Sequence, residues 1–154
     1  MFYISYFYQI RFFPETLVPV STAVYDPKWY HEFQGNNHIF KDKRGVLNGI
    51  RCPALAPLEQ HIPWTTKEEQ CVGREHCDFD FGTCAFLKNY EKYIFSLNFE
   101  DTIKRIEFAV QYIKPNADIC LMVYEKYDNP CSEREVLVKW FKAHDVDLIE
   151  WFPK

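Results

Sequence analysis

No apolar run in this 154-residue chain approaches the ~20 residues that a membrane-crossing helix needs. The amino-terminal stretch from Met1 to Phe13 is aromatic but has no basic leading region and no small-residue cleavage site. It therefore does not read as a secretion signal, and a cytoplasmic location is expected, without membrane attachment. Positive charge is not in excess: 18 Lys and Arg against 22 Asp and Glu give a net charge of −4. Nonspecific nucleic-acid coating favours a basic surface and is disfavoured on that ground, although a local basic pocket for one phosphate-bearing ligand is compatible with it. Internal repeats and low-complexity tracts are missing, which leaves one domain over residues 1–154 as the simplest organisation. The six cysteines include no C-x2-C knuckle. In a chain without a secretion signal they read as free thiols or metal ligands before disulfides.

What the chain does have is core material, with 47% hydrophobic and 18% aromatic residues. Phe2 to Phe7 is rich in strand formers, and Leu17 to Ser21 reads as a second strand that Pro19 pushes toward a sheet edge. Asp26-Pro27 is a helix start leading into Lys28 to Phe33. Turn residues and Pro53, Pro57 and Pro63 make about 34–84 an irregular insertion containing cysteines. Phe86, Leu87, Tyr90, Ile94 and Leu97 then recur at helical spacing, and Asn98 caps a second helix with Ile103, Ile106, Val110 and Ile113 as its inward stripe.

The stretch from Ala117 to Glu150 organises the rest. Ile119 to Tyr124 is an apolar run without a polar face, as suits a strand buried on both sides. A turn-rich loop follows, and Val136, Leu137, Trp140 and Phe141 mark one stripe of a helix. Ser132 and Glu135 have capping-box spacing, which predicts a helix start at Ser132, and Val146 to Trp151 reads as a closing strand. Strand, helix and strand in that order imply parallel pairing. The expected fold is a single, three-layer-like α/β domain with a mostly parallel central sheet.

The loop after Tyr124 lies where open α/β sheets place ligands. With a helix starting at Ser132, Cys131 would sit at its amino terminus, a position that binds anions and lowers a thiol's pKa. Arg134 offers a fork for phosphate or carboxylate, and Glu125 serves as its partner or as a general base. The plain alternative is a packed Cys131 with an ordinary Glu125–Arg134 ion pair. A cysteine phosphatase loop is not present, because the Cys-to-Arg spacing is too short and lacks glycines. Tyr124, Tyr127, Ser132, Arg51, Trp29 and Ser21 complete the expected ligand-binding set. Arg44 reads as solvated, and His144 as a partner for carbonyls at a helix end. Cys71, Cys77 and Cys84, with His76 beside Cys77, are zinc ligands in kind, and Cys52 and His61 are further candidate ligands, against a reading as unpaired loop thiols or a disulfide.

Val123-Tyr124-Glu125-Lys126, then Asp128 and Cys131, then Arg134 and a helix ending at Trp140-Phe141 resemble the domain-of-unknown-function 488 family of small bacterial and phage proteins. Tyr3 to Phe7, Pro19-Val20-Ser21 and Pro27 to Tyr30 are also similar to that family's pattern. Cys131-Ser132-Glu133-Arg134 departs from the family's tighter Cys-His-Arg, and the segment from Gln34 to Cys84 is longer than in its compact members. The resemblance implies an α/β fold, a site at Glu125, Cys131 and Arg134, and a phage-encoded protein in a bacterial host. The functional expectation is a pocket for a nucleotide or nucleobase-containing ligand around these three residues, catalytic or not. Its alternatives are a non-enzymatic protein that sequesters a signalling nucleotide or contacts a host protein, and a structural module supported by zinc.

Overall fold

The computed structural model describes residues 1–31, 39–58, 60–62, 84–129 and 132–154. In chain order they form β1 (Phe2–Tyr6), β2 (Leu17–Ser21), β3 (Phe40–Lys41), β4 (Leu47–Asn48), α1 (Ala85–Ser96), α2 (Phe99–Ile113), β5 (Asp118–Val123), α3 (Arg134–Ala143) and β6 (Ile149–Glu150). Tight 3-10 turns at Phe7–Phe12, Lys28–His31 and Pro53–Leu55 occur in the connections. Four strands make one parallel sheet in the order β2-β5-β1-β6, and β3 with β4 forms a separate antiparallel hairpin. The expected α/β architecture with a mostly parallel sheet is what the chain adopts.

Side-chain alternation explains why β5 reads as apolar on both sides. Ile119, Leu121 and Val123 pack with Tyr90, Ile94, Val110, Leu137 and Trp140 from the helices. Cys120 and Met122 face the other way, against Phe7, Ile10, Phe13 and Tyr30. Helices therefore cover one face and 3-10 turns with loops cover the other. Burial of both faces is the condition that parallel sheets require. No helix among the described residues is long and apolar enough to cross a membrane.

Pro19 lies on an edge strand, as its missing donor predicts. Its carbonyl oxygen accepts from the Tyr30 hydroxyl at 3.0 Å, off the β5 side of the strand. The same hydroxyl is 2.6 Å from the Ile50 oxygen, so its one proton serves two carbonyls in turn. α2 begins where expected: Asn98 Oδ1 accepts from the Asp101 N–H at 3.0 Å. Asn98→Ala is expected to cost about 1 kcal/mol, read as a lower urea midpoint at unchanged slope. A midpoint equal to that of the parent would show that the cap adds nothing. Ile113, placed on the inward stripe by its spacing, is instead exposed at the last turn.

Four local expectations are corrected. Phe7 leaves the first strand and opens a 3-10 turn. Asp26-Pro27 leads into a 3-10 turn, Lys28–His31, where a helix was expected; the Asp26 carboxylate is bonded by Ser21 and paired with Arg51, and Glu32 and Phe33 lie outside the described residues. α3 starts at Arg134, not at Ser132, because Ser132 Oγ bonds the Arg134 N–H at 3.1 Å and no capping-box reciprocity with Glu135 forms. The closing strand is only Ile149–Glu150, and it pairs with β1 instead of β5. The crossover through α3 thus steps over β1.

The hairpin β3–β4 lies in the stretch that reads as irregular. Asp42 Oδ1 accepts from the Arg44 and Val46 N–H groups at 2.8 and 3.1 Å, tightening its loop. Gly45 has φ +86°, and a Cβ there would lie 2.8 Å from Glu15 Oε2. A glycine fits both demands.

Candidate functional site

Two parallel strands, β2 and β5, end side by side, and the chain leaves each in an irregular turn. Thr22 to Tyr25 after β2 and Tyr124 and Glu125 after β5 line a cavity of about 580 Å³. Glu133, just before α3, and Phe86 in α1 complete its wall, with Pro57 and Leu58. Thr22 anchors the first turn to the neighbouring strand, with Oγ1 donating to the Met122 oxygen at 2.9 Å.

The chemistry of the cavity centres on two acids. The Glu133 carboxyl lies against that of Glu125, within reach of a shared proton. Glu125 Oε1 is sealed from solvent and has no hydrogen-bond partner among the described residues. Two carboxylates cannot bond each other without a proton between them. Burial, followed by the neighbouring Glu125 charge, pushes Glu133 from the usual 4.5 up to about 8, and Arg134 lowers it too little to compensate. Glu133 is only half-buried by surface area because it borders the cavity, while its carboxyl is closely surrounded. Near neutral pH the pair therefore holds one proton between its two carboxyls and offers its remaining oxygens as acceptors.

Asp26 lies behind this wall, nearly inaccessible at 1% exposure. Ser21 Oγ donates to its Oδ1, and Arg51 Nε is 3.0 Å from its Oδ2. The Arg51 N–H is not aimed along that line, so the contact is an ion pair and not an aligned hydrogen bond. Arg51 Nη2 also donates to the Val24 oxygen at 3.1 Å and the Ala23 oxygen at 3.4 Å. Ser21 and Arg51 hold the turn that lines the cavity, and neither belongs to its wall. Tyr124 does: its ring packs on Phe7 at 5.0 Å between centroids. Burial, then the charges of Asp26 and Glu125, raise its hydroxyl pKa above the ordinary value.

The structure separates Arg134 from Glu125. The Arg134 guanidinium is buried against Glu150, with Nε 2.5 Å from Oε1 and Nη2 3.5 Å from Oε2. Its Nη1 donates to the Lys126 oxygen at 2.8 Å and lies 3.4 Å from Ser132 Oγ. Arg134 thus clamps the loop after β5 to β6 and leaves no fork facing the cavity. Ser132 belongs to that clamp. Tyr127 packs edge-on against Phe152 at 5.0 Å, outside the cavity wall. Trp29 lines a different cavity, of about 410 Å³.

Cys131, Cys71, Cys77 and His76 lie outside the described residues. Cys84 is described, and its Sγ accepts from the Leu87 N–H at 3.5 Å at the start of α1. Among the described residues no group of three or more His, Cys, Asp and Glu is arranged to hold a metal ion. The Cys52 thiol packs against the core, and burial pushes its pKa up. His61 stacks on Tyr93 and His144 stacks on Phe99, where a bond from the His144 ring to helix-end carbonyls was expected. Arg44 is exposed, as expected, and also bonds the Ile10 and Phe13 oxygens and that of Arg11.

Sequence reading missed Glu133, Thr22, Tyr25 and Phe86. Glu133 carried one visible signal, as an acid immediately before a helix that also follows an acid-bearing strand end.

Fold and site together define an α/β protein with an acid-paired cavity at the carboxyl ends of parallel strands, the usual ligand position in such sheets. No family model, curated protein or solved structure compared with this chain matches it.

Proposed function

We propose that the chain binds a nucleobase-containing ligand in the Glu125–Glu133 cavity, base first. The acid pair carries this reading, because the carboxyl oxygens left free of the shared proton accept from the amino and ring N–H groups of a nucleobase edge. Tyr25, Tyr124 and Phe86 supply aromatic surface for a flat ring. The negative charge shared by Glu125 and Glu133 makes the inner wall hostile to phosphate. A ligand carrying phosphates would leave them at the mouth.

The experiment is a melting-temperature screen of the full chain with free bases, nucleosides and nucleotides. A ligand at about 100 times its Kd adds about 2.7 kcal/mol, a readily measured upward shift. Glu125→Gln is expected to weaken that binding about tenfold or more, since it replaces an acceptor by an amide. Absence of a shift with every compound, or a shift that Glu125→Gln leaves untouched, removes this reading. Recovery of the ligand intact after incubation and denaturation would mark a binding protein, whereas its conversion would mark an enzyme.

A further inference from the structure

The second cavity shares no lining residue with the first. Tyr8, Arg11, Trp29 and Phe40 line it, together with Arg44 and Asn48. Its two arginines are in different states. Arg44 is saturated: it bonds three backbone oxygens and pairs with Asp42 at 2.8 Å. Arg11 lies with its guanidinium carbon 3.6 Å above the Tyr8 ring centre, and its Nε donates to the Tyr8 oxygen at 3.2 Å. Neither terminal nitrogen of Arg11 has a bonding partner among the described residues, and no carboxylate pairs with it there. The ring beneath and the backbone bond fix the plane of the cation while leaving its fork open.

Trp29 is fixed as well. Its indole meets Phe7 and Tyr30 at right angles, at 6.5 and 6.2 Å, yet 48% of the residue is exposed. An aromatic side chain held still and left open is a stacking surface whose ordering cost is already met. Asn48 adds a polar feature. Its Nδ2 donates to the Val46 oxygen at 3.1 Å, while its Oδ1 is enclosed without a donor among the described residues.

We infer that the cavity between Arg11, Trp29 and Asn48 is a second binding site, for a flat aromatic ring that bears an acidic group. The ring stacks beside Trp29, and the acidic group meets the open fork of Arg11. Phosphate and carboxylate satisfy Arg11 alike, so the ligand is a nucleoside monophosphate or an aromatic carboxylic acid.

The test is calorimetric titration of the full chain with AMP and GMP, with anthranilate as the carboxylate arm, and with adenosine and inorganic phosphate as single-feature controls. An acid-bearing aromatic is expected to bind, and Arg11→Gln to weaken it about tenfold by removing a charge-assisted bond. Arg11 is exposed, so this variant keeps its fold, and Trp29→Phe should weaken binding less than Trp29→Ala. Glu125→Gln should leave this binding unchanged, which separates it from the base-first cavity, where neutral nucleosides bind and Glu125→Gln is damaging. Preference for AMP or GMP over anthranilate identifies the phosphate source, and the reverse identifies the carboxylate. No binding of any acid-bearing ring, binding equal to that of phosphate alone, or binding indifferent to Arg11→Gln overturns the inference.

Discussion

Arg134→Met is expected to destabilise the chain by about 3–5 kcal/mol, the usual cost of breaking a buried ion pair from one side. The change strands the Glu150 carboxylate and removes the donor from the Lys126 oxygen, while methionine keeps most of the packing volume. Burial already outweighs Arg134 at Glu150 and holds that carboxyl above its ordinary pKa. The pair therefore contributes less net stability than its 2.5 Å contact suggests. Replacing both partners, Arg134→Met with Glu150→Leu, is expected to recover most of the loss, because neither charge is then left alone. Urea denaturation of the two single variants and the double gives the coupling. If Arg134→Met costs under about 1 kcal/mol, the clamp is not a structural element, and a ligand-facing role for the guanidinium regains its place.

Glu133→Gln should make the chain more stable in mild alkali and change the shape of its pH profile. The folded-state pKa of about 8 lies above the usual 4.5, so between those values the native state holds a proton that the unfolded state has released. Stability is then greatest below the unfolded value, declines across roughly pH 4.5 to 8, and levels off above. With partial exposure at the cavity mouth, the loss across that window is of order 2–3 kcal/mol, or about 5 °C in Tm. The amide cannot ionise, so its profile should fall less than that of the parent, with the residual decline of Glu150 common to both, and the two curves should diverge most at pH 8–9. Parallel curves would mean that no proton is shared between the two acids.

The framework was legible in residue patterns because each of its signals is local. Continuous apolar composition in Ile119 to Val123 reports burial on both faces, Pro19 reports an edge, and Asn98 reports a helix start. The site was legible in position, at the end of β5, but not in membership. Arg134 finds Glu150 because the crossover through α3 brings β6 beside β1, and no spacing rule within sixteen residues conveys that. Without the sheet order, Glu125 is the nearer acid and the natural partner to name. Glu133 has no periodic signature, since its role depends on facing another carboxyl across a cavity. Trp29 and Tyr124 both pack on Phe7, yet they border different cavities. The hairpin β3–β4 escaped detection because strands of two residues leave no alternation to count.

The strand order carries a consequence for behaviour at high concentration. An exposed sheet margin is a template on which another chain can add a strand and begin to aggregate. Here one margin is β6, only two residues long, and the other is β2, interrupted by Pro19 and bridged at Ser21 by Arg51. Neither offers the run of free donors and acceptors that intermolecular strand addition needs, so the native form should stay dispersed, and strand-mediated clumping should require prior unfolding.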